Sequence, residues 1–60
     1  MKYSEFKRWL ARQGATFESA KGSHLIVTLN GKSTQMPYHG SKEIKEPTRK
    51  GILKQLGIEV

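Results

Sequence analysis

The sequence contains no cysteine and no aspartate, and it has no long run of apolar residues. Without cysteine the chain can form neither a disulfide framework nor a thiolate zinc site. Without aspartate it lacks an acidic cluster of the kind used in two-metal catalysis, so no metal and no cofactor is expected. No segment approaches the ~20 apolar residues of a membrane span, and the opening MKYSE lacks the apolar stretch of a signal peptide. We therefore expect a cytoplasmic protein without membrane contact.

The chain is also short, at 60 residues. A chain of this size buries only about 60% of the surface that it exposes when unfolded, so it can build one thin core. The sequence therefore predicts a single domain over residues 1–60, without a deep substrate cavity.

Acidic residues are scarce relative to basic ones. The chain has 11 lysines and arginines against 5 glutamates, a net charge of +6. The two halves of the sequence share this charge equally, so the basicity belongs to the folded surface rather than to a tail. Such a surface attracts phosphate backbones, although charge alone does not distinguish RNA from DNA or from an acidic protein.

Two segments have the periodicity of short amphipathic helices. Ser4 is a good N-cap, apolar residues follow it at helical spacing, and Gly14 can end the last turn, which predicts a helix over residues 5–13. Pro47 suits a first helical position, and apolar residues after it share one face until a glycine follows. This pattern predicts a second helix over residues 47–56.

The region between the helices has strand character. Asn30-Gly31 is the strongest turn signal in the sequence and predicts a tight hairpin over residues 24–37. Residues 15–20 supply a weaker preceding strand. The sequence therefore predicts an α+β fold of order α-β-β-β-α, in which both helices cover one face of a three-stranded antiparallel sheet.

The register of the hairpin follows from its two-residue turn, which pairs positions whose numbers sum to 61. Leu25 then faces Met36, and we expect this pair to lie on the face that the helices cover. Two further pairs lie on the same face: Val27–Thr34 and Leu29–Lys32. His24 falls opposite Pro37 on the outer face, and we expect its side chain to be exposed.

The tripeptide Gly22-Ser23-His24 places a glycine turn and an imidazole at the start of this strand. His39 follows soon after the hairpin, so two histidines could share one site on a basic surface. Histidine can take the 2′-hydroxyl proton of RNA and can protonate a departing 5′-oxygen, which makes transesterification the chemistry that fits. We predict His24 as the catalytic residue. The predicted RNA-contacting residues are Lys21, Gly22, Ser23, Lys32, His39 and Lys42.

Simpler interpretations also fit these residues. An exposed histidine at a strand start is usually a solvated surface residue, and Gly22 can serve only to turn the chain. A non-catalytic RNA-binding module would share the fold and the charge. A protein-binding or DNA-binding domain would also fit, and it would be insensitive to the 2′-hydroxyl of its ligand.

Nearly the whole chain resembles HicA-type toxins. The first helix ends at a glycine, and the closing helix has the sequence ILKQLG. The resemblance depends most on two motifs at this separation in a chain of this size, Lys21-Gly22-Ser23-His24 and Met36-Pro37-Tyr38-His39, with Glu43-Ile44 after them.

The resemblance implies a fold like that of double-stranded-RNA-binding domains and ribosome-independent cleavage of messenger RNA. It also implies a HicB-type antitoxin that binds and blocks the toxin, and it marks His24 as catalytic. One departure is visible, because Pro47-Thr48 stands where members often have Gly-Thr. Proline is sterically welcome in a first helical turn, so we expect the fold to tolerate it, but Pro47 has no amide to contact a phosphate.

Overall fold

The computed structural model describes residues 1–58, so Glu59 and Val60 lie outside it. Helix α1 spans Tyr3–Arg12, strands β1, β2 and β3 span Thr16–Ser19, His24–Leu29 and Lys32–Pro37, and helix α2 spans Glu46–Gln55. The predicted order α-β-β-β-α is confirmed. None of the helices within residues 1–58 is long and apolar enough to cross a membrane.

Helix α1 begins earlier than the sequence predicts. Ser4 lies inside the helix and is not its N-cap, and the cap position belongs to Lys2. The Lys2 amide donates to Glu5 Oε1 at 2.8 Å, while the amides of Tyr3 and Ser4 donate to the carbonyls of Lys42 and Gly40, each at 3.0 Å. A distant loop therefore satisfies the first amides of α1, and this replaces the side-chain cap that a local pattern would supply.

The sheet has the strand order β1-β2-β3 and is antiparallel throughout. The predicted hairpin over residues 24–37 and its register are confirmed, with Leu25 opposite Met36 and His24 opposite Pro37. Asn30 and Gly31 both have positive φ, 52° and 78°, as a tight two-residue hairpin turn requires. The first strand is shorter than the predicted 15–20, since pairing with β2 covers only Thr16–Ser19.

Both helices pack on one face of the sheet, as predicted. The most deeply buried side chains come from α1, the hairpin and α2: Phe6, Leu10, Val27, Met36 and Leu53. Trp9 of α1 is only partly buried and stacks on Phe6 with ring centroids 6.2 Å apart. Burial of this apolar layer is the main force that holds so small a chain together.

Helix α2 begins and ends one residue before the predicted range of 47–56. Pro47 lies in its first turn, so the fold tolerates the proline as expected. The helix is tied to the sheet by a hydrogen bond between the side chains of Thr34 and Gln55. Gly57 follows with φ +74°, in the left-handed conformation that commonly ends a helix.

Candidate active site

His24 is the first residue of β2 and its side chain is exposed on the outer face of the sheet. Its carbonyl accepts a hydrogen bond from the Ala20 amide at 3.0 Å. On the other side, the Tyr38 amide donates to the Ser23 carbonyl at 2.7 Å, which extends the hairpin by one residue. The backbone at His24 is therefore fixed from both neighbouring strands while its ring faces solvent.

The turn before His24 depends on a glycine conformation. Gly22 has φ +70°, and a Cβ added there would meet no atom within 4 Å. Backbone geometry, and not lack of space, is therefore the reason for glycine at this position. Lys21, Gly22 and Ser23 are all exposed, so their backbone and the lysine side chain are accessible to a ligand.

The ring of His24 is oriented by the same turn. Its Nδ1 lies 3.3 Å from the Lys21 carbonyl oxygen. A carbonyl oxygen can only accept, so this contact assigns the proton of the neutral ring to Nδ1. The lone pair of Nε2 then remains available to take a proton from a ligand.

His39 lies in a second loop, residues 38–44, which leaves the hairpin at the same end of the sheet. Its ring packs edge-on against Tyr3, with ring centroids 5.1 Å apart and an interplanar angle of 83°. The Lys42 amide donates to the His39 carbonyl at 3.2 Å, so Lys42 belongs to the same loop structure. Within residues 1–58 the two histidines thus contact different partners, and no hydrogen bond joins them.

Lys32 is the predicted site residue that the structure separates from the others. It pairs with Leu29 at the opposite end of the hairpin from His24. Five residues of strand correspond to ~17 Å, which a lysine side chain cannot bridge. Lys32 therefore stays a predicted RNA contact, but one that lies away from His24.

Lys32 belongs instead to a basic groove at the far end of the molecule. The groove is lined by Lys32, Arg49, Lys50, Leu53, Lys54, Gly57 and Ile58. A Cβ added at Gly57 would lie 2.6 Å from Lys32 Nζ, so the lysine chain lies across this glycine. Arg49 is partly neutralised there by an ion pair with Glu46 at 2.7 Å.

A further groove was not predicted from the sequence. It lies between α1 and the His24 end of the sheet and is lined by Ser4, Lys7, Arg8, Ala11, Phe17 and Tyr38. Lys7 Nζ lies 5.4 Å from the ring centroids of both Phe17 and Tyr38. The hairpin register was the signal available, because it places Tyr38 opposite Ser23 on the face that the helices cover.

The groups with shifted pKa values lie on α1, on α2 and at Met1. The hydrogen bond from the Lys2 amide lowers the pKa of the Glu5 carboxyl. The hydrogen bond with Arg49 lowers the pKa of Glu46 and raises that of Arg49 itself. The hydrogen bond to Glu43 raises the pKa of the Met1 amine, and this pair holds the 38–44 loop beside α1.

The chemistry of the site rests on imidazole, ammonium and backbone amide groups. Within residues 1–58, no three side chains of His, Cys, Asp or Glu come close enough together to hold a metal ion. The groups present can accept a proton and stabilise negative charge, as attack of an internal hydroxyl on a phosphodiester requires.

Known proteins are similar to this chain in sequence and in fold. Residues 3–58 match a family model described as "HicA toxin of bacterial toxin-antitoxin". A relative from Pseudomonas fluorescens (strain Pf0-1), named probable mRNA interferase HicA, is 61% identical over 59 residues, covering 98% of each chain. The probable mRNA interferase toxin HicA of Escherichia coli (strain K12) is 54% identical, covering 97% of this chain and 98% of its own.

A solved structure agrees. The crystal structure of the E. coli HicAB toxin–antitoxin complex contains a chain that superposes with a TM-score of 0.84 at 50% identity. The match covers 93% of this chain and 96% of the other. Sequence and fold thus agree over almost the full length, and the chain belongs to the HicA toxin family.

Proposed function

We propose that this protein is an mRNA interferase, the toxin of a type II toxin–antitoxin pair, which cleaves messenger RNA and is neutralised by a HicB-type antitoxin. Membership of the HicA family and the names of the relatives support this function. The observation that carries the chemical proposal is His24, exposed at a glycine turn with Nδ1 held by a backbone carbonyl. We also propose that it acts in the cytoplasm, where its substrate is translated.

The proposed reaction is transesterification within the RNA chain. His24 Nε2 takes the proton of a 2′-hydroxyl, and the 2′-oxygen then forms a bond to the adjacent phosphorus. The bond from phosphorus to the 5′-oxygen breaks, and protonation of that oxygen completes the step. The products are a 2′,3′-cyclic phosphate and a 5′-hydroxyl, and the scheme uses no metal ion.

The residues around His24 would stabilise the extra negative charge that develops on the phosphate oxygens. Lys21 and the backbone amides of the turn at Gly22 and Ser23 are exposed beside the ring. Charge that develops in a transition state is stabilised by groups that are already oriented before the reaction. We assign His39 and Lys42 to binding of the flanking RNA, because their loop leaves the sheet at the same end.

The test compares the protein with its His24→Ala variant on a long single-stranded RNA in the presence of chelator. We expect cleavage by the parent protein alone, and no cleavage where a 2′-deoxy nucleotide stands at the cut. His39→Ala is the comparison variant, since it removes an exposed imidazole at the same end of the sheet; because His39 is assigned to flanking RNA, we expect weaker RNA binding with cleavage retained. Equal activity of His24→Ala and parent, or 5′-phosphate ends, would exclude this mechanism.

A second outcome of the same test distinguishes the plain binding module. If parent and variant both leave RNA intact but bind it with equal affinity, the protein is a non-catalytic RNA-binding module. Fluorescence anisotropy with a labelled RNA measures that affinity, and circular dichroism shows whether the variant is folded.

We further propose that the antitoxin covers the outer face of the sheet around His24 and Ile26. Ile26 is a half-buried apolar side chain among the polar residues of this face, and a protein partner could bury it fully. Hydrogen exchange on the complex should show protection of β2 and of the 21–24 turn. Protection confined to α1 and α2 would contradict this placement.

A further inference from the structure

The groove between α1 and the His24 end of the sheet combines two kinds of side chain. Phe17 and Tyr38 are both partly exposed aromatic residues, and Lys7 and Arg8 supply two positive charges. Because Lys7 Nζ is 5.4 Å from each ring centroid, the two rings are no further apart than twice that distance. Among the residues that the structure describes, no acidic side chain lines the groove.

This combination distinguishes the groove from the basic groove at Lys32. Within residues 1–58, the groove at Lys32 has several cations but no aromatic side chain, so it can attract a phosphate backbone without stacking a base. Surfaces that bind single-stranded nucleic acid pair a positive groove with exposed aromatic rings, on which unpaired bases stack. Of these two grooves, the one at Phe17 and Tyr38 offers both.

We propose that this groove is a nucleobase subsite, in which an unpaired base of the RNA substrate stacks on Phe17 or Tyr38. The proposal rests on the proposed RNA cleavage function and adds where flanking RNA binds. Half-buried Lys7 lies over both rings in the free protein through cation–π contacts. In the proposed complex the base takes the place of the ammonium on the rings, and the ammonium contacts a phosphate together with Arg8.

The location of the groove determines which step of catalysis it affects. Tyr38 is joined through its amide to Ser23, the residue before His24, so the groove and the candidate active site lie at one end of the sheet. They lie on opposite faces, however, since Phe17 pairs with Val27 on the helix-covered face and His24 points outward. The RNA must pass over the end of the sheet, and the bound base is not part of the reacting nucleotide.

The groove therefore contributes to substrate binding and leaves the chemical step unchanged. We expect the double variant Phe17→Leu/Tyr38→Leu to raise KM about tenfold to a hundredfold, with kcat within about twofold of the parent. Leucine keeps the apolar contacts of both residues with the core and removes the stacking faces. Tyr38→Phe keeps the ring and should keep the parent KM.

Trp9→Leu is the matched control for loss of an aromatic ring. Trp9 lies on α1, is partly buried and stacks on Phe6. It lines a different groove, together with Glu5, Arg8 and Arg12. We expect its KM to match that of the parent. An equal rise of KM in Trp9→Leu would overturn the assignment, because the loss would then not be specific to the groove.

A crosslinking experiment tests the contact without relying on cleavage. RNA that contains 4-thiouridine is bound to the His24→Ala variant, irradiated and digested, and the crosslinked peptides are identified by mass spectrometry. We expect adducts at Tyr38 or Phe17 that disappear in the leucine double variant, which provides a second readout if that variant is unstable. Adducts found only at other positions would overturn the proposal.

The two proposals fail in different ways. If the parent protein does not cleave RNA, the proposed function fails whatever the groove does. If it cleaves RNA and the leucine double variant has the parent KM, only the nucleobase subsite is wrong. Loss of antitoxin binding in that variant, with RNA binding unchanged, would reassign the groove to a protein contact.

Discussion

Replacement of Gly22 by alanine separates the backbone conformation of the active-site turn from its chemistry. Gly22 has φ +70°, and nothing lies within 4 Å of an added Cβ, so alanine is strained there without any clash. An L-residue in this left-handed region costs about 1–2 kcal/mol. In a domain of this size such a loss lowers the melting temperature by roughly 4–16 °C, from 4–8 °C for each kcal/mol.

Gly31 provides a closely matched control. It has φ +78° and also an open Cβ position, but it lies in the turn at the far end of the hairpin. Gly31→Ala should therefore lose about the same 1–2 kcal/mol of unfolding free energy, measured by urea or thermal denaturation with circular dichroism. A difference in cleavage between the two variants then reports on the position of the turn, and not on stability.

We expect Gly22→Ala alone to lower kcat. Strain at residue 22 is relieved by movement of the turn, which takes the Lys21 carbonyl away from His24 Nδ1. A hydrogen bond worth about 1 kcal/mol corresponds to a loss of roughly fivefold in rate. Gly22→Asn should retain most activity, because asparagine tolerates this conformation better than alanine. Equal kcat values for Gly22→Ala and Gly31→Ala would refute the reasoning.

Three further predictions concern stability and RNA affinity. Leu10→Ala removes a fully buried side chain and should cost about 2–5 kcal/mol in urea denaturation, whereas half-exposed Ile26→Ala should cost clearly less; equal costs would place the core elsewhere. Folding lowers the pKa of Glu5 below its ordinary 4.5, so its contribution to stability is complete above pH 4.5 and declines as pH falls through the lowered value. When the urea midpoint is measured as a function of pH, Glu5→Gln should therefore lose less stability at acid pH than the parent does. An unchanged fall at acid pH would contradict this. Lys32→Ala should weaken RNA binding, measured by anisotropy, and reduce the slope of log affinity against log salt concentration by about one. The kcat should not fall; a lower kcat would place Lys32 in the active site.

The hairpin was predictable from sequence because its signals are local. Asn30-Gly31 specifies a two-residue turn, and the pairing of strand residues follows from the turn by counting. This is why the exposure of His24 and its position opposite Pro37 could both be predicted from the amino-acid sequence. The helices followed from apolar periodicity, to within two residues at each end.

The errors arose where contacts are distant in sequence. Ser4 has the right chemistry for an N-cap, but the carbonyls of Gly40 and Lys42 satisfy the first amides of α1 instead. The aromatic groove was missed because Phe17 lies in a weak strand and Tyr38 in a loop, and only the packing of α1 brings them together.

The contacts between the start of the chain and the 38–44 loop also bear on how the protein folds. Ile44 donates to the Met1 carbonyl at 2.9 Å, and Lys2 pairs with Glu43, so residues more than forty positions apart are joined. Contacts of this span form late, because closing a long loop costs entropy before the contact is gained. Helix α1 is made first on the ribosome but cannot be capped until the loop after the hairpin has emerged. A nascent chain therefore passes the whole hairpin out of the ribosome before the contacts that fix the start of α1 can form.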